Sequence, residues 1–401
     1  MPVGTGYGIG SISHGRYYHF DRVDRDGAGW GRCRCLNAET GAELWEFEYP
    51  TAYEDILGYN NGPRCSPTID GDRLYLFGAE GMLHCLQAVD GKLIWKLDTS
   101  QKYGVVQNFF GVGSTPVIEG DLLICMIGGS PPGSPELYSS GGQVSGNGSG
   151  IVAFNKLTGD VVYEITDELA SYASPQLATI DGRRWCFMFC RGGLVAFEPS
   201  TGKMDFQYPW RATLLESVNA STPVVVNNQV FISETYQIGS SLLTVKPGGF
   251  DVVWQDSRQN RDKSMKTHWN TAVHVDGFLY GCSGRNPPDA DLRCIRWETG
   301  EVQWVQQEPL ENRERSSFLY VDGHFICLGE YGSLKLIKAN PTRYELVSEV
   351  MLQREELAPN PAFGPLPLLK YPAWAAPILS HGLLYVRGDD RLVCLEVIPQ
   401  S

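Results

Sequence analysis

"LNAETGAELWEFE", Leu36 to Glu48, decides how the rest of the chain is read. A short apolar-to-polar lead runs into an acidic-Thr-Gly turn, and a strand-like run carrying a tryptophan follows. The unit is then written again as "LQAVDGKLIWKLD" from Leu86, "FNKLTGDVVYEIT" from Phe154, "FEPSTGKMDFQYP" from Phe197 and "IRWETGEVQWVQQ" from Ile295. Its aromatic falls at Trp45, Trp95, Tyr163, Phe206, Trp254, Trp304 and Tyr344, at spacings of 50, 68, 43, 48, 50 and 40 residues. A period of roughly 40–50 residues is that of propeller blades. The long interval holds one insertion, "GGSPPGSPELYSSGGQVSGNGSG".

Ahead of each aromatic lies a second recurring element, a small-polar-then-apolar run closed by a tight turn. Examples are "SISHG", "CSPTIDG", "STPVIEG", "STPVVVNN", "NTAVHVDG" and "AAPILSHG". Asp-Gly and Asn-Asn supply the positive φ that a two-residue hairpin needs. These turns number eight, at Gly15, Gly71, Gly120, Gly182, Asn228, Gly277, Gly323 and Gly382. Two further apolar strands and the aromatic strand complete a four-stranded antiparallel unit. The sequence therefore predicts an all-β, eight-bladed propeller forming one domain. Its blades are expected at about 8–50, 64–99, 111–166, 171–209, 218–257, 268–307, 315–350 and 373–398. Trp, Tyr and Phe interchange at the aromatic position, as packing between blades tolerates and catalysis would not. Only seven aromatic strands are written for eight turns, so blade eight is expected to lack its outer strand and to expose "RLVCLEVI", Arg391 to Ile398.

Composition narrows the function. The formal net charge is −13, which disfavours nucleic acid and anionic lipid as partners, since both require clustered Lys and Arg. No run of 18 apolar residues occurs, and "MPVGTGYGIGS" has neither the basic nor the apolar segment of a signal peptide. Of the 11 cysteines, most sit inside strand-like runs and read as small buried hydrophobes. No CxxC is present, which removes zinc-ribbon and thioredoxin-like readings. That cysteine usage fits a reducing compartment.

The unit, with "AETG" before Trp45 and "STP" at Ser114 to Pro116, resembles the pyrroloquinoline-quinone (PQQ) repeat. The resemblance runs along essentially the whole chain. It implies the eight-bladed propeller of quinoprotein alcohol dehydrogenases and of BamB-type assembly factors, in the form met in planctomycete-type bacteria. Such proteins are often exported, so the compartment stays open. They usually carry a leader and a segment that supplies the last outer strand, and the sequence here shows neither.

Two functional classes follow. One is a scaffold that binds a protein or small-molecule ligand on the face where the loops are long: "YPTAYEDILGYNNGPR", "TSQKYGVVQNFFGVG", "YPWRATLLESVN", "DSRQNRDKSMKTHW", "QQEPLENRERSS" and "LQREELAPNPAFGPLPLLKYPAW". Long loops on a rigid scaffold are where binding concentrates. Residues just ahead of the inner strands are expected to ring the channel mouth there: Arg64, Asn108, Tyr172, Asn219, His268, Trp269, Arg315 and Trp374. The other class is an oxidoreductase, with His268 as the acid/base candidate because an unperturbed imidazole titrates near neutrality. The resemblance implies for such an enzyme PQQ on the axis, a stacking Trp (Trp269 or Trp374), and calcium bound by a carboxylate and an amide (Asn108 or Asn219). Neither an adjacent cysteine pair nor a CxxCH haem motif is written, and no Asp or Glu in the inner-strand openings has a clear claim on calcium. The expectation is therefore no cofactor and no metal, with PQQ plus Ca²⁺ as the alternative.

Overall fold

The computed structural model describes residues 1–306, 313–354 and 366–398. Its strands form eight antiparallel sheets, seven of four strands and a last one of three. Blade one is Ser11–Ser13, Arg16–Arg25, Ala28–Asn37 and Glu43–Thr51, from the axis outward. Blades two to seven occupy 68–98, 117–165, 176–209, 224–255, 273–305 and 316–351. Blade eight has Ile378–Ser380, Leu383–Arg387 and Leu392–Glu396. The one α-helix among the described residues is Thr99–Tyr103, capped by the Asp98 carboxylate and stopped at Gly104.

The repeated turns explain why the strands stop where they do. In five of the first hairpins both turn residues have positive φ, as at Asp276 (47°) and Gly277 (84°), the geometry whose twist matches the flanking strands. In blades two and three the turn begins one residue later than the Asp-Gly or Glu-Gly reading implies, because Asp70 pairs with Arg73 and Glu119 with Leu122. The acidic-Thr-Gly turn is closed from within: the Asn37 side-chain oxygen accepts the Glu39 and Thr40 amides, and the Gly41 amide donates to the Asn37 carbonyl.

All seven outer strands carry a β-bulge, at the second residue of the strand in six of them and at the fifth, Val253, in blade five. In five blades the extra residue points to water, which is why Leu44, Ile94, Val162, Val253 and Val347 are exposed, whereas Asp205 in blade four turns its carboxylate onto Arg183. The next residue is thereby re-aimed at the following blade. That residue is the aromatic in six blades. In blade seven the bulge places Ser348 there, and Tyr344 lies two residues ahead of its strand, Leu346–Met351, packing on the Trp304 ring at 5.6 Å.

The core is a ring of eight inter-blade layers, each built from the facing strands of two neighbours. Tyr75, Cys85, Leu123 and Phe154, for example, join blades two and three. The layer between blades eight and one is among the smallest, with Tyr17, Leu36, Ala38, Tyr385 and Leu392. Closure there is polar as well. The fully buried Arg387 guanidinium donates to the Gly8 carbonyl (2.6 Å) and the Gly4 carbonyl (3.0 Å). Asp21, itself buried, accepts the Gly4 amide (2.7 Å) and a bidentate pair from Arg32 (2.9 and 2.8 Å).

Blade eight ends as a three-stranded sheet, with Leu392–Glu396 at its edge. One detail departs from expectation. The lead segment does reach this edge, through Met1 paired with Leu392 (2.8 and 3.0 Å) and the Pro2–Arg391 bridge, but it covers only the first step.

Candidate functional site

Six of the eight expected mouth residues line one cavity of about 280 Å³ at the axis: Arg64, Tyr172, His268, Trp269, Arg315 and Trp374. Each precedes an inner strand, so the blade geometry delivers them to the same height. Asn108 and Asn219 are not brought into this cavity. The Asn108 amide donates to the Ala170 carbonyl (3.0 Å) while its oxygen accepts the Phe109 amide (2.9 Å). Asn219 is fully buried and donates to the Cys190 and Trp210 carbonyls (2.7 and 3.2 Å). Both fasten loops. Of the long loops around the mouth, residues 307–312 and 355–365 lie outside the described residues.

The polar side of the cavity is braced in advance. Arg315 makes a bidentate pair with the buried Glu330, with contacts of 3.0 and 2.6 Å to one carboxylate oxygen. The Trp374 indole donates to the same oxygen (3.1 Å), and the Arg315 guanidinium lies 5.0 Å from the Trp374 ring centre. Arg315 Nη1 sits 3.3 Å from His268 Nδ1, and only the guanidinium can donate there, which leaves the ring proton on Nε2, 3.3 Å from the Tyr236 hydroxyl. Burial, then the Arg315 and Arg285 charges, push the His268 pKa down to about 3, so the imidazole is neutral at physiological pH. Arg64 is tied to Asp55 and to the Gly62 and Asn60 carbonyls.

The apolar side is aromatic. Tyr7, Tyr59 and Trp269 surround Trp374 at ring separations of 4.8, 6.2 and 5.9 Å. Phe110 packs on Tyr172 at 5.4 Å, and Arg285 lies 4.6 Å over Tyr236. Tyr7, Tyr59, Phe110, Tyr236, Arg285 and Glu330 were not singled out in the sequence. Tyr7 obeys the same rule as the others, standing ahead of the first inner strand. Tyr236, Arg285 and Glu330 come from the turns between second and third strands, which share this face but carry no repeat signature.

A calcium–quinone site does not fit these residues. Glu330, behind the polar wall, is taken up by Arg315 and Trp374, both candidate amides donate to backbone carbonyls, and Glu216 is the single carboxylate that lines the cavity among the described residues. Among the described residues no group of three or more His, Cys, Asp or Glu could hold a metal ion. Beside the mouth, a second cavity of about 470 Å³ includes Arg191, a buried guanidinium whose Nε and Nη2 have no hydrogen-bond partner among the described residues. Burial pulls its pKa down to about 10.

A family model described as outer membrane protein assembly factor BamB matches residues 30–306. The chain belongs to the BamB family. Among solved structures it is similar to BamB from Moraxella catarrhalis, at 14% identity and a TM-score of 0.59, covering 96% of this chain and 92% of that one. It is also similar to the computationally designed Ika8 protein, at 8% identity and a TM-score of 0.54, with 98% and 100% covered. A quinohemoprotein alcohol dehydrogenase from Pseudomonas putida aligns at 14% identity and a TM-score of 0.41, over 91% of this chain and 61% of that one. No curated protein sequence matches the chain. At these identities the BamB and Ika8 likenesses establish the propeller fold. Among the described residues no helix is long and apolar enough to cross a membrane.

Proposed function

We propose that this BamB-family propeller is a binding module whose ligand enters the channel mouth with a ring stacked on the aromatic wall formed by Trp269, Trp374 and their neighbours. The carrying observation is the convergence of aromatic faces on one cavity of about 280 Å³ whose polar wall is already hydrogen-bonded. Stacking surfaces held rigid in this way bind without ordering cost. The Arg285 guanidinium adds donors for an acceptor or carboxylate on the ligand. The ligand class is thus a sugar ring or an aromatic side chain of a protein partner. Acid/base chemistry at His268 is disfavoured, because its two nitrogens are engaged and its pKa is displaced to about 3. The family's description as an assembly factor agrees with binding rather than turnover.

A thermal-shift and tryptophan-fluorescence screen of sugars, aromatic peptides and PQQ with Ca²⁺ tests this. The expected result is a ring-bearing sugar or peptide that raises Tm and quenches fluorescence, with both effects lost in Trp269→Ala. A hit that survives Trp269→Ala unchanged, or dye-linked alcohol oxidation with PQQ, overturns the reading.

A further inference from the structure

The insertion that stretches one repeat interval to 68 residues helps to wall the cavity of about 470 Å³ beside the mouth, through Leu137 and Val144. Val105, Ile127 and Leu169 continue that apolar lining. Among them stands Arg191, in the turn between the second and third strands of blade four, Arg183–Phe189 and Gly193–Phe197. Its backbone is fastened: the Arg191 amide donates to the Leu169 carbonyl (3.0 Å), and its carbonyl accepts from the Asn219 side chain (3.4 Å). The residue is only 4% exposed.

The charge of Arg191 is not answered. Nε and Nη2 have no hydrogen-bond partner among the described residues, and the strongest charge acting on the guanidinium is a second cation, Arg211. Glu234 and Glu168 act on Arg211 instead, and both are engaged, Glu234 with the Ser217 hydroxyl (2.7 Å) and Glu168 with the Gly192 amide (2.7 Å). Nε and Nη2 together form one edge of the guanidinium fork, and elsewhere in this chain a carboxylate fills that edge. Asp21 does so on Arg32 (2.9 and 2.8 Å), Asp291 on Arg293 (2.6 Å twice) and Glu330 on Arg315 (3.0 and 2.6 Å). A guanidinium stays charged when buried, and a buried charge without a partner is costly. The unpartnered edge on Arg191 therefore matches a carboxylate in shape and in sign. It lies under the Gly141–Gly142 turn of the insertion, where a Cβ on Gly142 would stand 3.7 Å from Nη2, so an acid that takes this edge shifts that turn. Ser171 lines the same cavity; its hydroxyl oxygen accepts the Asn219 amide (2.8 Å), which leaves its proton to give.

We propose that this cavity binds a small organic acid, its single carboxylate paired with Arg191 and its apolar body laid along the lining from Val105 to Leu169. One negative charge is favoured over two, because Glu54 and Glu80 line the same cavity and repel a second. The site is distinct from the aromatic mouth. The Phe109 ring, 5.7 Å from the guanidinium, lines the mouth, so the two cavities meet at a wall and Arg191 borders only this one.

The test is calorimetric titration of the full chain with octanoate, octyl phosphate and octanol, which share one apolar tail. Octanoate is expected to bind saturably at one site, about tenfold or more tighter than either of the others. Arg191→Met removes the charge and keeps the length. It is expected to melt no lower than the parent, since a buried unpartnered charge is gone, and to bind octanoate about tenfold or more weakly. Val144→Trp, on the half-buried face of the insertion, fills the cavity without altering the Arg191 turn and is expected to weaken octanoate binding with folding retained. Trp269→Ala, which alters the mouth and not this cavity, is expected to bind octanoate as the parent does, so this site and the mouth fail separately. No saturable binding of octanoate, equal or tighter binding of octanol or octyl phosphate, or undiminished binding in Arg191→Met overturns the proposal. Loss of octanoate binding in Trp269→Ala also overturns it, by placing the acid at the mouth.

Discussion

Gly91 and Gly41 occupy the same turn position in successive blades, with φ of 74° and 69°, yet only Gly91 lies under an indole. Alanine at Gly41 therefore meets only backbone strain, about 1 kcal/mol, whereas alanine at Gly91 adds a clash with Trp45 and costs about 3 kcal/mol in all. Urea midpoints of the two variants measure the difference, and equal shifts would remove the ring contact from the account. A buried histidine offers a second probe at this scale. His84 packs 4.3 Å from the Tyr49 ring, and burial, reinforced by Lys96, lowers its pKa to about 4 from 6.5. The folded chain keeps it neutral while the unfolded chain protonates it. The stability this provides is whole above pH 6.5 and falls away as pH drops toward 4, by up to about 1.4 kcal/mol per pH unit. In His84→Gln that part of the acid slope disappears, as stability curves at pH 7, 5.5 and 4.5 will show; an unchanged slope would mean that His84 is protonated in the fold. The mouth was legible at this scale only in part. Residues placed by the repeat, such as Trp269 and Trp374, were found by position. Asn108 and Asn219 hold the same position but turn inward to cap backbone carbonyls, a choice that depends on neighbouring loops rather than on the repeat.

The strand pattern was readable because each element carries its own signal: two-residue turns, alternating burial, and an aromatic after a bulge. Tyr344 shows where that reading strays. It copies the aromatic of its sister units, but the bulge between Leu336 and Ile337 sets the register, and Ser348 takes the position. Register follows hydrogen bonding, and a ring two residues off can still reach Trp304. The edge strand Leu392–Glu396 yields a prediction of its own. A short extension ahead of Met1, with a tryptophan two residues upstream, would place its indole opposite Cys394 in the register fixed by the Met1–Leu392 pair. Such a tethered strand is expected to raise Tm by a few degrees and to bury Cys394. An extension with alanine in that position is the control, and equal Tm values for the two would show that the ring adds nothing there.

Across the whole molecule the sheet of each blade packs on its two neighbours, so the weakest layer governs how the ring opens. Hydrogen exchange is expected to be fastest, among the strands, in 378–396, where the layer to blade one is small and one edge is unpaired. Slower exchange there than in blades four and five, whose shared layer is extensive, would place the weak point elsewhere. Addition of PQQ with Ca²⁺ is expected to leave Tm unchanged, because the residues at the mouth do not assemble a calcium ligand set; a rise of several degrees would restore the oxidoreductase reading.

The Arg387 spokes to Gly4 and Gly8 also set a schedule. Gly8 and Arg387 lie 379 residues apart, so the segment they fix leaves the ribosome long before its anchor exists. At roughly 5–20 residues per second that interval is about 20–75 s. For most of it the blade-one face that will meet blade eight has no partner, and the nascent ring is an open crescent with a sticky front end. Closure waits for Arg387, and whatever shields that front end in the meantime decides how much of the chain survives to close.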